Sequence, residues 1–374
     1  MKHGPRQPNL PRAWRWSVVW LVGWSGGCGL SGDDQVSDPL PDWPIVQPES
    51  LTLSYDGEGE AVEGLGQGLG VRGQALVGDD ALLARPLVSG LELANTMTLP
   101  ALRKLNEIAR GTAPILANEQ VRVWQSRGED LNGEEVDYQL VISRSPQVVH
   151  QWDYVLLVYE PGPGGSVVTR PLLSGFFQAE EGYTDERQIG AGLIRYHYGA
   201  PTDPRHARSP VKGFGAVAFR ILPSGARKMS LILDDFQVPT LERPLKARYG
   251  YLQRPDKGGV FSFALKANLL KDESRNPDRE TIRATIAWEP DLRARGLAQI
   301  GYVERVQGQD NSRTVLLDEC WDARRKQVWV QWDPGAFASD GDERDCGEGL
   351  ADLTLALPDP REIGRDENPD IPTE

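Results

Sequence analysis

The sequence predicts a mainly β protein, a strongly curved antiparallel sheet or open barrel with one notable α-helix. Three observations carry this. Apolar side chains recur at every second position in many short runs, the signature of strands with one buried face. Glycine and proline are abundant, 40 and 28 in 374 residues, which suits many turns better than long helices. And one stretch stands out for apolar residues at helical spacing.

That stretch comes first along the chain. Leu99, Leu102, Leu105, Ile108 and Ala109 fall on one helical face, with Thr98 as N-cap, Pro100 in the first turn and Gly111 as the stop. Core packing is its expected role. Strands follow. Val136, Tyr138, Leu140 and Ile142 alternate, as do Met229, Leu231 and Leu233. Phe261, Phe263 and Leu265 repeat the pattern, then Ile282, Ala284, Ile286 and Trp288, and finally Val328, Val330 and Trp332. Leu222–Gly225 and Pro255–Gly259 read as hairpin turns. The hexapeptide Arg85-Pro-Leu-Val-Ser-Gly90 recurs as Arg170-Pro-Leu-Leu-Ser-Gly175 and reads as two similar strand ends rather than a repeat architecture.

The N-terminus reads as an address. Residues 1–15 are basic, Trp16–Trp24 is apolar, and Ser25-Gly26-Gly27-Cys28 follows. The apolar run is far shorter than the roughly 20 residues a membrane-spanning helix needs, yet it suits a signal-peptide core. The segment resembles the lipobox of bacterial lipoproteins, in which small residues precede a cysteine that is diacylated and becomes the new N-terminus. Gly26, Gly27 and Cys28 match; Ser25 stands where that pattern usually has leucine, so ordinary signal-peptidase cleavage nearby is the alternative. The resemblance implies lipidation of Cys28, and Gly29 implies sorting to the outer membrane. The expected organisation is a signal peptide over 1–27, a lipidated cysteine and flexible tether over 28–50, a β domain over 51–357 and an acidic disordered tail over 358–374.

Charge narrows the partners. Net charge is −13, and removing the first 27 residues, with Lys2, Arg6, Arg12 and Arg15 and no acid, takes it to −17. Such a chain repels phosphate backbones and anionic lipid head groups, which argues against nucleic acid. Two cysteines remain besides Cys28. An oxidising compartment permits Cys320 and Cys346 to bridge, with free thiols as the alternative. Their spacing is no zinc signature.

Chemistry is sparse. Of His3, His150, His197 and His206, none sits in a zinc-hydrolase spacing, and alternation puts His197 on the face opposite Tyr196 and Tyr198. Ser89 and Ser174 precede glycines, but nothing nearby supplies a base. Gly68-Leu-Gly-Val-Arg-Gly73 matches a dinucleotide fingerprint but follows Gly-Glu-rich sequence instead of a strand, so no cofactor is expected. Asp340, Asp342, Glu343 and Asp345 crowd one loop that could hold calcium, although the EF-hand pattern fails and a solvated loop is favoured. Asp234, Asp235, Glu180 and Glu181 are candidate acids for a polysaccharide-cleaving enzyme, but neighbours on a strand point to opposite faces and cannot converge. No catalytic residue is assigned. Trp152, Trp288, Trp329 and Trp332 are candidates for an apolar groove on the curved sheet, with Trp329 and Trp332 on opposite faces of one strand.

From His150 to Cys346 the chain resembles an uncharacterised family of myxobacterial exported lipoproteins. Trp152-Asp153-Tyr154, Lys212–Phe219 and Arg248–Tyr251 carry part of the likeness. Glu319-Cys320-Trp321-Asp322, Val328–Val330 and Gly341-Asp342 ahead of Cys346 carry the most. The resemblance implies export, β structure and a Cys320–Cys346 bridge, and supplies no activity. The expectation is a non-enzymatic protein, lipid-anchored to the outer membrane on its periplasmic face or at the cell surface. It would bind an envelope protein or an apolar small molecule. An enzyme acting on an envelope polysaccharide and a structural spacer are the alternatives.

Overall fold

The computed structural model describes residues 46–55, 76–129, 135–161, 166–184, 187–199, 211–237, 245–255, 257–266, 281–306, 309–333, 339–347 and 350. The protein is mainly β, as the alternation requires. Among the described residues, fifteen strands form one antiparallel sheet in simple chain order, each paired with its sequence neighbours. The first seven are β1 (Leu116–Ala117), β2 (Val121–Glu129), β3 (Glu135–Arg144), β4 (Gln151–Pro161), β5 (Val167–Ala179), β6 (Gly190–His197) and β7 (Lys212–Ile221). Next come β8 (Arg227–Gln237), β9 (Leu245–Gln253), β10 (Gly259–Lys266) and β11 (Thr281–Trp288). The last four are β12 (Ala294–Val306), β13 (Gln309–Trp321), β14 (Gln327–Asp333) and β15 (Asp340–Gly341). The two end strands do not pair with each other, so the sheet is open.

One long helix, α1 (Ala84–Gly111), packs across the strands. Alternate side chains of the sheet, among them Tyr138, Leu156, Phe177, Val217, Leu231, Phe261 and Leu317, join Leu87, Leu91, Leu102 and Leu105 of the helix in one apolar core. The Leu83 amide, at the start of α1, meets Glu319 of β13, while Lys104 lies over the Tyr138 ring of β3. Those strands are ten positions apart in the sheet, about 48 Å if it were flat. The helix between Leu83 and Lys104 is only about 32 Å long. The sheet curves towards α1 to meet it at both ends.

Burying a helix this way also takes the amides of the turn that leads into it out of water. Leu83, at the N-cap, offers no side-chain cap. Instead the Glu319 carboxylate accepts from the Leu82 amide at 3.1 Å and the Leu83 amide at 2.5 Å, and Gln327 Nε2 donates to it at 3.0 Å. A negative charge there also suits the positive end of the helix. Along the helix, the Tyr251 hydroxyl donates to the Gly90 carbonyl at 2.5 Å and the Tyr196 hydroxyl to that of Met97.

Residues 46–55 form a strap. It runs antiparallel to α1: Asn106 donates to the Val46 carbonyl, and Asn95 exchanges hydrogen bonds with Leu53. Its other side meets four successive hairpin ends on one rim of the sheet. Gln188 accepts from Gln47 and Ser50, and Arg227 donates to the Thr52 carbonyl. Gln253 donates to the Ser54 carbonyl, and the Tyr55 hydroxyl donates to that of Leu292. Residues 46–50, read from sequence as the end of the tether, pack here, with Val46 and Pro48 buried.

Three local expectations are corrected. The helix begins at Ala84, so Thr98 is a buried mid-helix residue and Pro100 lies inside the helix. Pro100 is tolerated because it faces solvent, where water can serve the carbonyl its missing amide leaves free. The repeated hexapeptide takes two conformations: residues 85–90 are helical and 170–175 lie in β5. Val328 does not continue the inward set of Val330 and Trp332; a register shift at Cys320/Trp321 turns it to the outer face, against the disulfide. Both hairpin turns fall where the sequence places them, between β7 and β8 and between β9 and β10.

Two outcomes test this packing. A Cβ at Gly90 would overlap the buried Phe261 ring. Overpacking costs about 1–3 kcal/mol, against at most about 1 kcal/mol gained from alanine's helix propensity. Gly90→Ala should therefore lower unfolding free energy in urea by about 1 kcal/mol. A stabilised variant would show that Phe261 is not fixed there.

Burial pushes the Glu319 carboxyl up to about 7 from an ordinary 4.5, against the pull of the two amides. The folded state thus holds this proton more tightly than the unfolded chain does. The contribution is full below about pH 4.5 and is lost as pH rises through about 7. Unfolding free energy of the wild type, relative to Glu319→Gln, should fall by about 3 kcal/mol across that window. Parallel curves would mean that Glu319 does not titrate there.

Candidate functional site

The strap and the hairpin rim enclose a cleft of about 360 Å³. Its position follows from the meander: turns after odd-numbered strands all come to the same rim. The β7–β8 turn supplies Gly225, whose Cβ position lies 3.2 Å from Pro255 of the β9–β10 turn. Arg227 opens β8 directly opposite Gln253, the last residue of β9, and Arg254 follows at the turn. Ser54 and Tyr55 of the strap form one wall, and Trp288, Glu289 and Leu292 of the β11–β12 end form another. Trp288 packs edge-on against Tyr55 with ring centroids 5.9 Å apart.

The cleft is cationic. Its Glu289 carboxylate is matched by Arg293 at 3.0 Å. Arg227 gives one N–H to the Thr52 carbonyl at 2.7 Å, which fixes its direction. Among the described residues neither Arg227 nor Arg254 has a carboxylate partner. In a chain where acids outnumber bases 54 to 41, two such guanidinia at one cleft mark a place fit to receive an anion.

The four tryptophans do not share a groove. Trp152, Trp288 and Trp332 belong to the main core, Trp152 stacked on Phe177 at 6.4 Å, and Trp288 alone borders the cleft. Trp329 lies on the outer face, under the Arg295 guanidinium at 5.3 Å and beside the disulfide. That disulfide joins Cys320 to Cys346, whose Cα atoms are 5.4 Å apart. Arg295 holds Asp318 of β13 and Glu343 of the pinned segment together.

Three of the four acids in the 340–345 loop have partners. Asp340 accepts from the Val77 amide, Asp342 pairs with Arg344, and Glu343 pairs with Arg295. Among the described residues no group of three or more potential ligands gathers for a metal. Glu180 pairs with Arg220 at 3.0 Å, while Glu181 is exposed. Asp234 and Asp235 do converge, contrary to the strand geometry expected. An irregularity between Leu233 and Phe236, with Asp235 at φ 48°, lets both reach Lys246, at 2.8 and 3.3 Å. Glu319 has a perturbed carboxyl, but both its oxygens serve the start of α1.

Ser174 does have a base beside it. His197 Nε2 lies 2.7 Å from Ser174 Oγ across β5 and β6, on the outer face as alternation requires. Pairing across strands, invisible to motif spacing, brings them together over 23 residues. Both strands are paired on both sides, so their amides serve the sheet ladder rather than a developing oxyanion. The cleft was equally hidden, although arginines beside two turns of one rim were its available signal. Cys28, His206, Gly68–Gly73 and the tail over 358–374 lie outside the described residues. No protein-family model, curated protein or solved structure matches the chain.

Proposed function

We propose that the chain is an exported, lipid-anchored protein of the bacterial envelope that binds a partner without transforming it. The open sheet serves as support and the rim cleft as the point of recognition. The Cys320–Cys346 bridge is the observation that carries the address, because such bonds persist in oxidising compartments outside the cytosol. The lipobox-like Ser25–Cys28 segment and the likeness to myxobacterial exported lipoproteins support the same reading. The inner face of the sheet is filled by α1 and the strap, which favours a partner held at the rim over an apolar molecule held inside.

The anchor is tested in a bacterium that processes lipoproteins. The full chain should enter the detergent phase of a Triton X-114 partition and the membrane pellet. Cys28→Ser should leave it in the aqueous, exported fraction. Equal aqueous partition of both chains would remove the lipid anchor from the proposal.

A further inference from the structure

We infer that the rim cleft binds a phosphate group, with Arg227 and Arg254 as its anion-holding residues. The inference rests on the reading of the chain as an envelope binding protein and names the chemistry of its partner. Arg227 is held in place by the Thr52 carbonyl at 2.7 Å and still has N–H groups to give. Arg254 stands one residue beyond Gln253, the cross-strand neighbour of Arg227. Both side chains line the same cleft. A phosphate monoester offers three terminal oxygens, enough to meet two planar guanidinia at once. Among the described residues the one carboxylate lining the cleft, Glu289, is already matched by Arg293 and does not repel the guest strongly. Ser54 and Gln253, hydrogen-bonded to each other, make an uncharged polar wall, and Trp288 supplies an apolar wall for the body that carries the phosphate. A volume of about 360 Å³ suits a small phosphate ester or a single headgroup.

Phosphate can come from a free ester or from a lipid headgroup, and two arms separate them. The full-length chain in detergent is titrated calorimetrically with glycerol 3-phosphate at low salt, with glycerol as control. The Cys28→Ser chain, which lacks the acyl anchor, is also sedimented with phosphatidylcholine vesicles with and without phosphatidic acid, whose headgroup is a phosphate monoester. The Arg254 side chain is exposed at a turn, so Arg254→Gln should fold as the wild type does. We expect glycerol 3-phosphate or phosphatidic acid vesicles to bind, salt to weaken binding, and Arg254→Gln to weaken it about tenfold. Arg254→Lys should recover part of the loss. Binding of the free ester alone assigns a soluble ligand; binding of the vesicles alone assigns a headgroup. If neither binds, or if Arg254→Gln binds both unchanged, the inference is overturned. Release of inorganic phosphate from bound glycerol 3-phosphate would overturn the non-enzymatic reading and leave the site standing.

Discussion

Placing α1 against the inner face of the sheet takes the amides of the turn that leads into it out of water, and each would cost roughly 1–3 kcal/mol if left unmet. The buried Glu319 carboxylate meets two of them at once and brings a charge of the favourable sign. The rest of the architecture hangs on this contact. The neighbouring residue, Cys320, points to the opposite face and is tied to Cys346. A single strand, β13, thus secures the helix on one side and the C-terminal segment on the other.

The strap completes what Glu319 begins. Helix and sheet alone would leave the rim of the core open between the hairpins. The strap covers that line and gives each of the four hairpin ends it meets a hydrogen-bond partner. Its last residues also make one wall of the cleft, so structure and candidate binding site share the same peptide. The Arg227 contact to Thr52 belongs to both.

Much of the architecture was legible because it depends on local pattern. The alternation in β3, β8, β10 and β11 marks the inward face, and the turns at Leu222–Gly225 and Pro255–Gly259 join neighbours. The length of α1 was not legible. Residues 85–90 nearly repeat residues 170–175, yet one set is helical and the other extended, so surroundings rather than composition decide. Gly90 admits Phe261 against the helix, while Gly175 sits against the Leu193 carbonyl of the next strand. The candidate site was hidden for a related reason. Arg227 and Arg254 belong to no motif and become neighbours only through register. Likewise the convergence of Asp234 and Asp235 on Lys246 depends on a bulge that no spacing rule announces.

The long reach of the strap and the helix cap bears on the order in which the chain can mature. Synthesis delivers the N-terminal part first. The strap and α1 therefore exist before any of the described strands has been made. The cap of α1 lies 236 residues downstream of Leu83, and the strap's hairpin partners extend to Leu292, 237 residues beyond Tyr55. A growing meander can add hairpins one by one, but α1 cannot be capped until β13 is present, and the strap cannot be fully seated before the β11–β12 turn. Among the described residues the elements made first wait for partners made late, so a chain truncated before β13 lacks the Glu319 contact to Leu82 and Leu83.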